Sequence, residues 1–204
     1  MRSTTATSTA TFTESRAGFL LRNSAIVLGA TVLIALCAHI SVPLPWTPVP
    51  LTMQTFAVLL IGLSLRPSAS FAVMVLYLIE GASGLPVFQP YALGGVAHLI
   101  GPTGGYLFSY PLAAAAAGFI YYVLRGTIKS QFVSATIAAT AGSVLILAMG
   151  AAWLSYFLPG HAFVAGVAPF LLGDAIKICA AAGIVSAWGR SRKDYKNYKG
   201  LIQI

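Results

Sequence analysis

Charged side chains are scarce in this chain of 204 residues. Charged residues make up 8% of the sequence and hydrophobic residues 58%, and only four residues are acidic. A soluble domain carries roughly a quarter charged residues, so this chain has too few to cover a surface that faces water. The composition therefore predicts one integral membrane bundle, without room for a second domain. It also argues against a nucleic-acid binder, whose basic residues would cluster on one soluble face.

Cysteines and nucleotide-binding motifs are equally sparse. Cys37 and Cys179 lie far apart inside apolar segments and lack the CxxC spacing, so we expect buried thiols rather than a disulfide framework or a zinc site. The G-x-x-x-x-G-K-[ST] motif of ATP-binding loops occurs nowhere in the sequence. We therefore predict no metal, no cofactor and no ATP hydrolysis by this chain. Any accumulation of a solute would draw its energy from partners or from an ion gradient.

Six apolar segments predict an all-α bundle of six transmembrane helices. The segments are 19–40, 51–65, 68–83, 104–124, 130–157 and 163–188. A perpendicular crossing takes about 20 residues, so the second and third segments have to be tilted, partial or extended by apolar loop residues. The chain is thus divided into a disordered cytoplasmic tail (1–18), a membrane domain (19–188) and a basic cytoplasmic tail (189–204).

The basic residues favour one orientation in the membrane. With the N-terminus inside, ten of the twelve basic residues fall in the tails or in the inner turns 66–67 and 125–129, and Arg22 lies at the inner start of the first segment. The outer segments 41–50, 84–103 and 158–162 contain no Lys or Arg. Cytoplasmic loops of membrane proteins carry an excess of Lys and Arg. Both termini are therefore predicted to be cytoplasmic, and the membrane to be the plasma (inner) membrane.

Two of the outer loops predict a covered pocket. Residues 41–50 contain four prolines, and residues 84–105 contain six glycines and three prolines, yet both loops remain largely apolar. A solvated loop would be polar, and proline cannot sit in helix interiors. Non-helical backbone at membrane depth is tolerated where it is buried or lines a cavity. We therefore expect these loops to fold back over the outer end of the bundle.

Asp174 and Lys177 are the strongest candidates for a binding site. Both lie near the middle of the predicted sixth helix, where either charge alone would cost several kcal/mol. A spacing of three places them on one helical face, about 4.5 Å apart along the axis. One interpretation is a salt bridge that fixes helix packing. We favour the other, a polar end of a pocket, because intramembrane charges more often mark substrate or ion paths.

Other polar or flexible positions have plain structural interpretations. Glu80 ends the third segment and is expected to reach interfacial water. Thr52 and Gln54 follow a proline, so helix capping is favoured over a role in a cavity. The segment Gly101–Tyr106 opens the fourth helix, where glycines let backbone N–H groups approach either a ligand or a neighbouring helix.

Gly81–Gly84 (GASG) matches the G-x-S-G pattern around the nucleophile of intramembrane serine proteases. Such a serine needs a histidine base within hydrogen-bond reach. His39, His98 and His161 all fall at outer helix ends or in outer loops, and His98 is the one expected near a pocket. An intramembrane hydrolase using Ser83 is therefore an unfavoured alternative.

Seven short motifs, taken in order, resemble the BioY family, the biotin-specific substrate-capture subunits of energy-coupling-factor (ECF) transporters. The motifs are SVPLP (41–45), VPLTMQ (49–54), Tyr77-Leu78 through Gly81, GLPVF (84–88), Gly94-Gly95, GPTGGY (101–106) and GDAIK (173–177). The resemblance covers roughly residues 25–188.

This resemblance implies a six-helix membrane subunit that binds biotin under its outer loops and is not an enzyme. The implied substrate-binding residues are Asp174, Lys177, Phe88, Gln89, Tyr91, Gly104, Gly105, Tyr106 and Trp46. The implied partners are biotin, membrane lipid, a transmembrane coupling subunit and two ABC-type ATPases. The coupling subunit would dock on a small-residue face of the first helix.

The sequence also departs from the family pattern in three places. In the loop 89–93, relatives often carry small polar residues, including an asparagine that contacts the ring, and Gln89 or Tyr91 is the candidate substitute. Glu80 replaces a residue that is usually apolar. The docking pattern is split between Ala25 with Gly29 and Thr31 with Ala35. A solitary biotin importer without ATPases therefore remains the alternative within transport.

Overall fold

The computed structural model describes residues 16–91 and 94–188. In chain order the elements are α1 (Arg16–His39), β1 (Ser41–Val42), β2 (Leu51–Thr52), α2 (Gln54–Ser64), α3 (Pro67–Ala82), α4 (Val96–Ile100), α5 (Gly104–Thr127), α6 (Gln131–Leu154), α7 (Ala162–Gly166), a 3-10 turn (Ala168–Phe170) and α8 (Leu171–Ala187). The predicted C-terminal tail, the predicted N-terminal tail up to residue 15, and positions 92 and 93 lie outside the described residues.

Four helical stretches of the described chain are long and apolar enough to cross a membrane. They are Leu21–His39, Gly104–Thr127, Gln131–Leu154 and Ala162–Ala187. Helices α2 and α3 are also apolar but have only 11 and 16 residues. At 1.5 Å per residue they are about 17 and 24 Å long, less than the ~30 Å hydrocarbon core. The all-α membrane class predicted from composition is confirmed.

Local sequence signals explain several helix boundaries. Pro67 is the first residue of α3 and follows Arg66, whose backbone is extended; proline suits this position because its missing N–H would have no helical partner there. Gly104 begins α5, as the GPTGGY motif predicts. At the start of α6 the Ser130 hydroxyl accepts a hydrogen bond from the Val133 N–H at 3.3 Å.

Glycines bring α2 and α5 into close contact. A Cβ atom added at Gly62 would lie 2.6 Å from the carbonyl oxygen of Ala114, and one added at Gly118 would lie 2.7 Å from that of Gly62. Small residues allow such close approach of membrane helices, where packing rather than hydrophobic burial drives association. These contacts fix the distance between two helices that line the site described below.

The last apolar segment differs from its prediction as one helix over 163–188. It begins with the single-turn helix α7, continues through the 3-10 turn and becomes a regular helix only at Leu171. Pro169 lies in the 3-10 turn and has no N–H to donate to a continuous helix. Asp174 therefore lies in the first turn of α8, not near the middle of a long helix.

The two outer loops are more regular than predicted. The proline-rich loop 41–50 is closed by β1 and β2, which pair antiparallel with Ser41 opposite Thr52. The glycine-rich loop contains the short helix α4. We call segments 41–50 and 84–103 together the cover, because residues from both form one side of the cavity described next.

The two cysteines have different surroundings. Cys37 is buried, as expected, but Cys179 is exposed at the surface of α8. The prediction of a second buried thiol was wrong because an apolar helix in a membrane also has apolar residues on its outer face.

Candidate functional site

A cavity lies between the cover and the halves of the helices nearest to it. It contains about 500 Å³ of empty space, with open solvent at its mouth included. Its wall is formed by Val49, Pro50, Thr52, Gln54, Thr55, Gln89, His98, Thr103, Tyr106, Leu107, Tyr110, Ile146, Leu147, Phe170, Asp174 and Lys177. The mixture of an apolar wall with a few polar groups is typical of small-molecule pockets.

The charged end of the cavity is the ion pair of Asp174 and Lys177. The Lys177 ammonium donates to Asp174 Oδ1 at 3.1 Å, and the two residues are 6% and 4% exposed. Such burial would be costly for either charge alone, and pairing offsets much of that cost. The position of Asp174 in the first turn of α8 is also favourable, because the helix dipole is positive there.

Two hydroxyl groups from other helices hold this pair in place. Thr55 in α2 accepts a hydrogen bond from Lys177 Nζ at 2.9 Å and donates to Asp174 Oδ1 at 3.4 Å. Ser143 in α6 donates to Asp174 Oδ2 at 2.8 Å. The pair is therefore bound by α2, α6 and α8 together, and neither charged side chain can turn without losing several hydrogen bonds.

The ion pair keeps hydrogen-bonding capacity for a ligand. Of the three ammonium protons of Lys177, two have acceptors among the described residues. A carboxylate offers about four lone-pair sites, and Asp174 uses three of them. One N–H donor and one carboxylate acceptor thus remain at the cavity wall, which suits a ligand group that is both donor and acceptor.

Above the ion pair, aromatic side chains form the middle of the wall. The Tyr106 hydroxyl donates to the Gly166 carbonyl oxygen at 2.7 Å, which ties α5 to the end of α7. The ring centroids of Tyr106 and Phe170 are 6.5 Å apart. Gly150 makes room for the Tyr106 ring, which an added Cβ atom would overlap. This part of the cavity suits flat apolar rings.

The cover contributes Gln89 and His98 to the cavity. Both side chains are buried, at 5% and 2% exposed. The Gln89 side-chain oxygen accepts the Tyr91 N–H at 2.7 Å, and this directs the amide nitrogen of Gln89 away from that turn. Phe88 packs behind them, with its ring centroid 4.8 Å from that of His98 and 5.4 Å from that of Tyr77.

A chain of hydrogen bonds connects the cover to α2 and α3. Thr52 donates to the Gln54 side-chain oxygen at 3.2 Å, and the Gln54 amide donates to the Tyr77 hydroxyl at 2.7 Å. The Tyr77 hydroxyl in turn donates to the Val87 carbonyl oxygen at 2.9 Å. Thr52 also accepts the Gln54 backbone N–H at 3.3 Å. Gln54 thus both takes part in the start of α2 and lines the cavity.

The nine residues named by the resemblance fall into three groups. Asp174, Lys177, Gln89 and Tyr106 line the cavity. Phe88 is buried behind the wall, while Gly104 and Gly105 pack against Leu99 and Trp153 rather than facing the cavity. Trp46 and Tyr91 are 65% and 57% exposed and lie outside the cavity wall.

Several wall residues were not singled out by sequence reasoning. The wall includes Thr55, Tyr110 and Phe170. The ion pair is contacted by Ser143, which donates to Asp174. For Thr55 and Ser143, the available sequence signal of a role at the site was a hydroxyl side chain within an apolar segment. It is weak, because hydroxyls in helices commonly bond to their own backbone.

The position of Ser83 is explained by its place at the end of a helix. It ends α3, and its hydroxyl donates to the Glu80 carbonyl oxygen at 2.7 Å. Ser83 is exposed, and so are His39 and His161. His98 is buried in the cavity wall. Nothing in this geometry favours a hydrolase.

Comparison with known proteins identifies the family of this chain. The profile of the BioY family matches residues 5–194. The "Probable biotin transporter BioY" of Pyrococcus horikoshii is 39% identical over 135 residues, which cover 66% of this chain and 76% of that protein. The "Biotin transporter BioY" of Thermotoga maritima is 37% identical over 154 residues, which cover 74% of this chain and 86% of that protein.

A solved structure shares the fold. The crystal structure of an S-component for biotin from an ECF-type ABC transporter superposes with a TM-score of 0.75 at 24% identity, over 83% of this chain and 91% of that one. With the family profile extending over nearly the whole sequence, this multi-pass membrane protein belongs to the BioY family.

Proposed function

We propose that this protein captures biotin at the outer side of the plasma (inner) membrane, as the substrate-binding subunit of an ECF-type uptake system. It is a transport protein and not an enzyme. The observation that carries the proposal is the buried Asp174–Lys177 pair, which faces a cavity of about 500 Å³ and keeps free hydrogen-bonding capacity. Relatives bearing the name biotin transporter at 37–39% identity support the choice of ligand.

The chemistry of biotin matches the two ends of the wall. Its ureido ring offers two N–H donors and one carbonyl acceptor; one N–H suits the remaining lone pair of Asp174, and the carbonyl suits the remaining N–H of Lys177. The apolar bicyclic ring would lie against Tyr106 and Phe170. Because the carboxylate and the ammonium are both ionised, each of these hydrogen bonds is charge-assisted and strong.

Gln89 is the residue of the cover that we propose as a ligand contact. It is buried in the wall and its amide nitrogen is available, whereas Tyr91 is exposed. Phe88, Gly104 and Gly105 would shape the cover by packing behind it. Trp46 has no part in the proposed site because its side chain is 65% exposed.

The framework of the ion pair provides a first testable consequence. Thr55→Val and Ser143→Ala each remove a hydrogen bond to a buried charge, so we expect a loss of about 1–3 kcal/mol in stability and weaker biotin binding. Ser134→Ala is the matched control, because this serine lies in the same helix as Ser143, is fully buried, and among the described residues its hydroxyl bonds to the Ser130 carbonyl oxygen alone. Thermal unfolding in detergent and titration with biotin would measure both effects. Equal behaviour of all three variants would contradict the proposed framework.

We propose six membrane crossings with both termini in the cytoplasm. The four long stretches would supply four crossings, and α2 and α3, extended by the neighbouring apolar cover, would supply the two short ones. The distribution of Lys and Arg supports this orientation, since the outer segments contain neither. Labelling of single cysteines placed at positions 46 and 126 of a cysteine-free variant would test this orientation. We expect position 46, and not position 126, to be accessible from outside.

We also propose that a transmembrane coupling subunit and two ABC-type ATPases complete the transporter. The chain has no nucleotide-binding loop of its own. Ala25 and Gly29 are exposed on α1, and a Cβ atom added at Gly29 would meet nothing within 4 Å. Thr31 is buried, so the Ala25–Gly29 face is the better docking candidate. Biotin uptake by cells that express this chain without any coupling subunit would favour the solitary importer instead.

The decisive experiment is calorimetric titration of the detergent-purified protein with biotin. We expect saturable binding of biotin and of desthiobiotin, which keeps the ureido ring, and no binding of lipoate, which lacks it. A well-folded preparation that ignores biotin would refute the proposed function.

A further inference from the structure

The Tyr110 hydroxyl is a polar group of the cavity without a role in the proposed binding of biotin. Tyr110 lies in α5, is 3% exposed and lines the cavity. Its hydroxyl has no hydrogen-bond partner in the part of the chain that the structure describes. The Tyr110 oxygen is not among the fully inaccessible polar atoms that lack a partner. It therefore has an accessible face, and this face points into the cavity that Tyr110 lines.

This situation sets Tyr110 apart from two neighbouring core tyrosines. The hydroxyl of Tyr77 donates to the Val87 carbonyl oxygen at 2.9 Å, and that of Tyr106 donates to the Gly166 carbonyl oxygen at 2.7 Å. A buried hydroxyl without a partner costs free energy, and most such groups in proteins are satisfied. The remaining hydroxyl therefore indicates a partner that enters the cavity from outside.

The level of Tyr110 in the bundle identifies which end of the ligand it meets. Tyr106 and Phe170 contact each other across the wall. Tyr110 follows Tyr106 by four residues on α5, and Asp174 follows Phe170 by four on α8. Each step is one helical turn, about 6 Å, along helices that both begin beneath the cover. Tyr110 thus lies in the same layer as the ion pair.

We propose that the Tyr110 hydroxyl donates a hydrogen bond to the ureido oxygen of bound biotin, beside the N–H of Lys177, and so determines specificity for the ureido ring. This inference rests on the proposed function. In that layer the remaining lone pair of Asp174 can accept one ligand N–H, and the ureido oxygen is the ligand's acceptor. A carbonyl oxygen has two lone pairs, and the free N–H of Lys177 accounts for only one.

Tyr110→Phe tests the inference because it removes the hydroxyl and keeps the ring. We expect the Kd for biotin to rise roughly 3- to 30-fold, the effect of one lost hydrogen bond in a buried site. The Kd for desthiobiotin should rise by the same factor, since both ligands carry the ureido ring. The melting temperature of the ligand-free protein should not fall, because the hydroxyl has no partner among the described residues.

Tyr156→Phe is the control, since this tyrosine is 84% exposed and its change should alter neither quantity. An unchanged Kd of Tyr110→Phe for biotin, while the wild type binds, would overturn this inference and leave the proposed function standing. A loss confined to biotin would overturn it too, by indicating contact with the sulfur-containing ring. The inference would also be overturned if the melting temperature of the ligand-free Tyr110→Phe protein fell enough to account for its weaker binding of biotin. Failure of the wild type to bind biotin would overturn the proposed function and this inference together.

Discussion

Neutralising Asp174 and Lys177 together is expected to leave a folded protein that no longer captures biotin. In the Asp174→Asn/Lys177→Met variant no charge remains buried, so the cost of an unpaired ion is absent. The donor proposed for the ureido ring is lost, and the proposed acceptor becomes a neutral amide oxygen. Because the lost charge-assisted hydrogen bond is worth about 1.5–3 kcal/mol and the other is weakened, the Kd for biotin should rise by at least about tenfold and by up to several hundredfold.

The single variants separate stability from binding. Asp174→Asn or Lys177→Met alone leaves one buried charge without its counter-ion, which costs about 3–5 kcal/mol. We therefore expect each single variant to melt at a lower temperature than the double variant, while all three bind biotin poorly. Thermal unfolding in detergent and calorimetric titration would measure the two effects independently.

Glu80→Gln is the matched control for removal of a negative charge. Glu80 is half-buried at the end of α3 and does not line the cavity, so its loss should leave biotin affinity unchanged. If the double variant binds biotin as the wild type does, the ion pair fixes helix packing only. The first of the two interpretations of its spacing would then be the correct one.

The second large effect is expected at the contact between α2 and α5. In Gly118→Ala the new Cβ atom would lie 2.7 Å from the backbone carbonyl oxygen of Gly62, which cannot move as a side-chain end could. Overpacking of this kind costs about 1–3 kcal/mol. We expect a lower melting temperature and weaker biotin binding, because separating the helices moves Thr55 away from the wall that Tyr110 belongs to.

Gly126→Ala provides the control in the same helix. A Cβ atom at this position would meet nothing within 4 Å, and alanine is favoured over glycine in helices by up to about 1 kcal/mol. This variant should therefore be as stable as the wild type or slightly more stable. A Gly118→Ala protein that matched it in melting temperature and in affinity would show that the α2–α5 contact tolerates separation.

Local sequence patterns were sufficient for the membrane class and for most helix boundaries. Scarce charge predicts burial in lipid, and Pro67 and Gly104 begin the helices that their chemistry favours. The three-residue spacing of Asp174 and Lys177 places both on one face, since helical periodicity depends only on neighbours along the chain. The extent of the last helix was mispredicted, because hydropathy does not register the break around Pro169.

The identity of the residues around the ion pair was decided by the tertiary structure. Ser134, Thr136 and Thr140 of α6 bond to their own backbone, whereas Ser143 in the same helix reaches Asp174, 31 residues away. Nothing in the local sequence separates these hydroxyls. What separates them is the lateral position of α6 against α8, which depends on packing between distant segments.

The sequence by itself thus determined that this chain lies in a membrane, where its helices begin, and that one acidic and one basic group share a helical face. Only the tertiary structure decided that Thr55 and Ser143 bond to this pair, that Tyr110 lines the same cavity, and that Gln89 rather than Tyr91 does so. The physical reason is the distance along the chain over which each kind of interaction acts. Periodicity and capping act over a few residues, whereas a cavity exists only once helices distant in sequence are held at fixed separation by contacts such as Gly62 with Gly118.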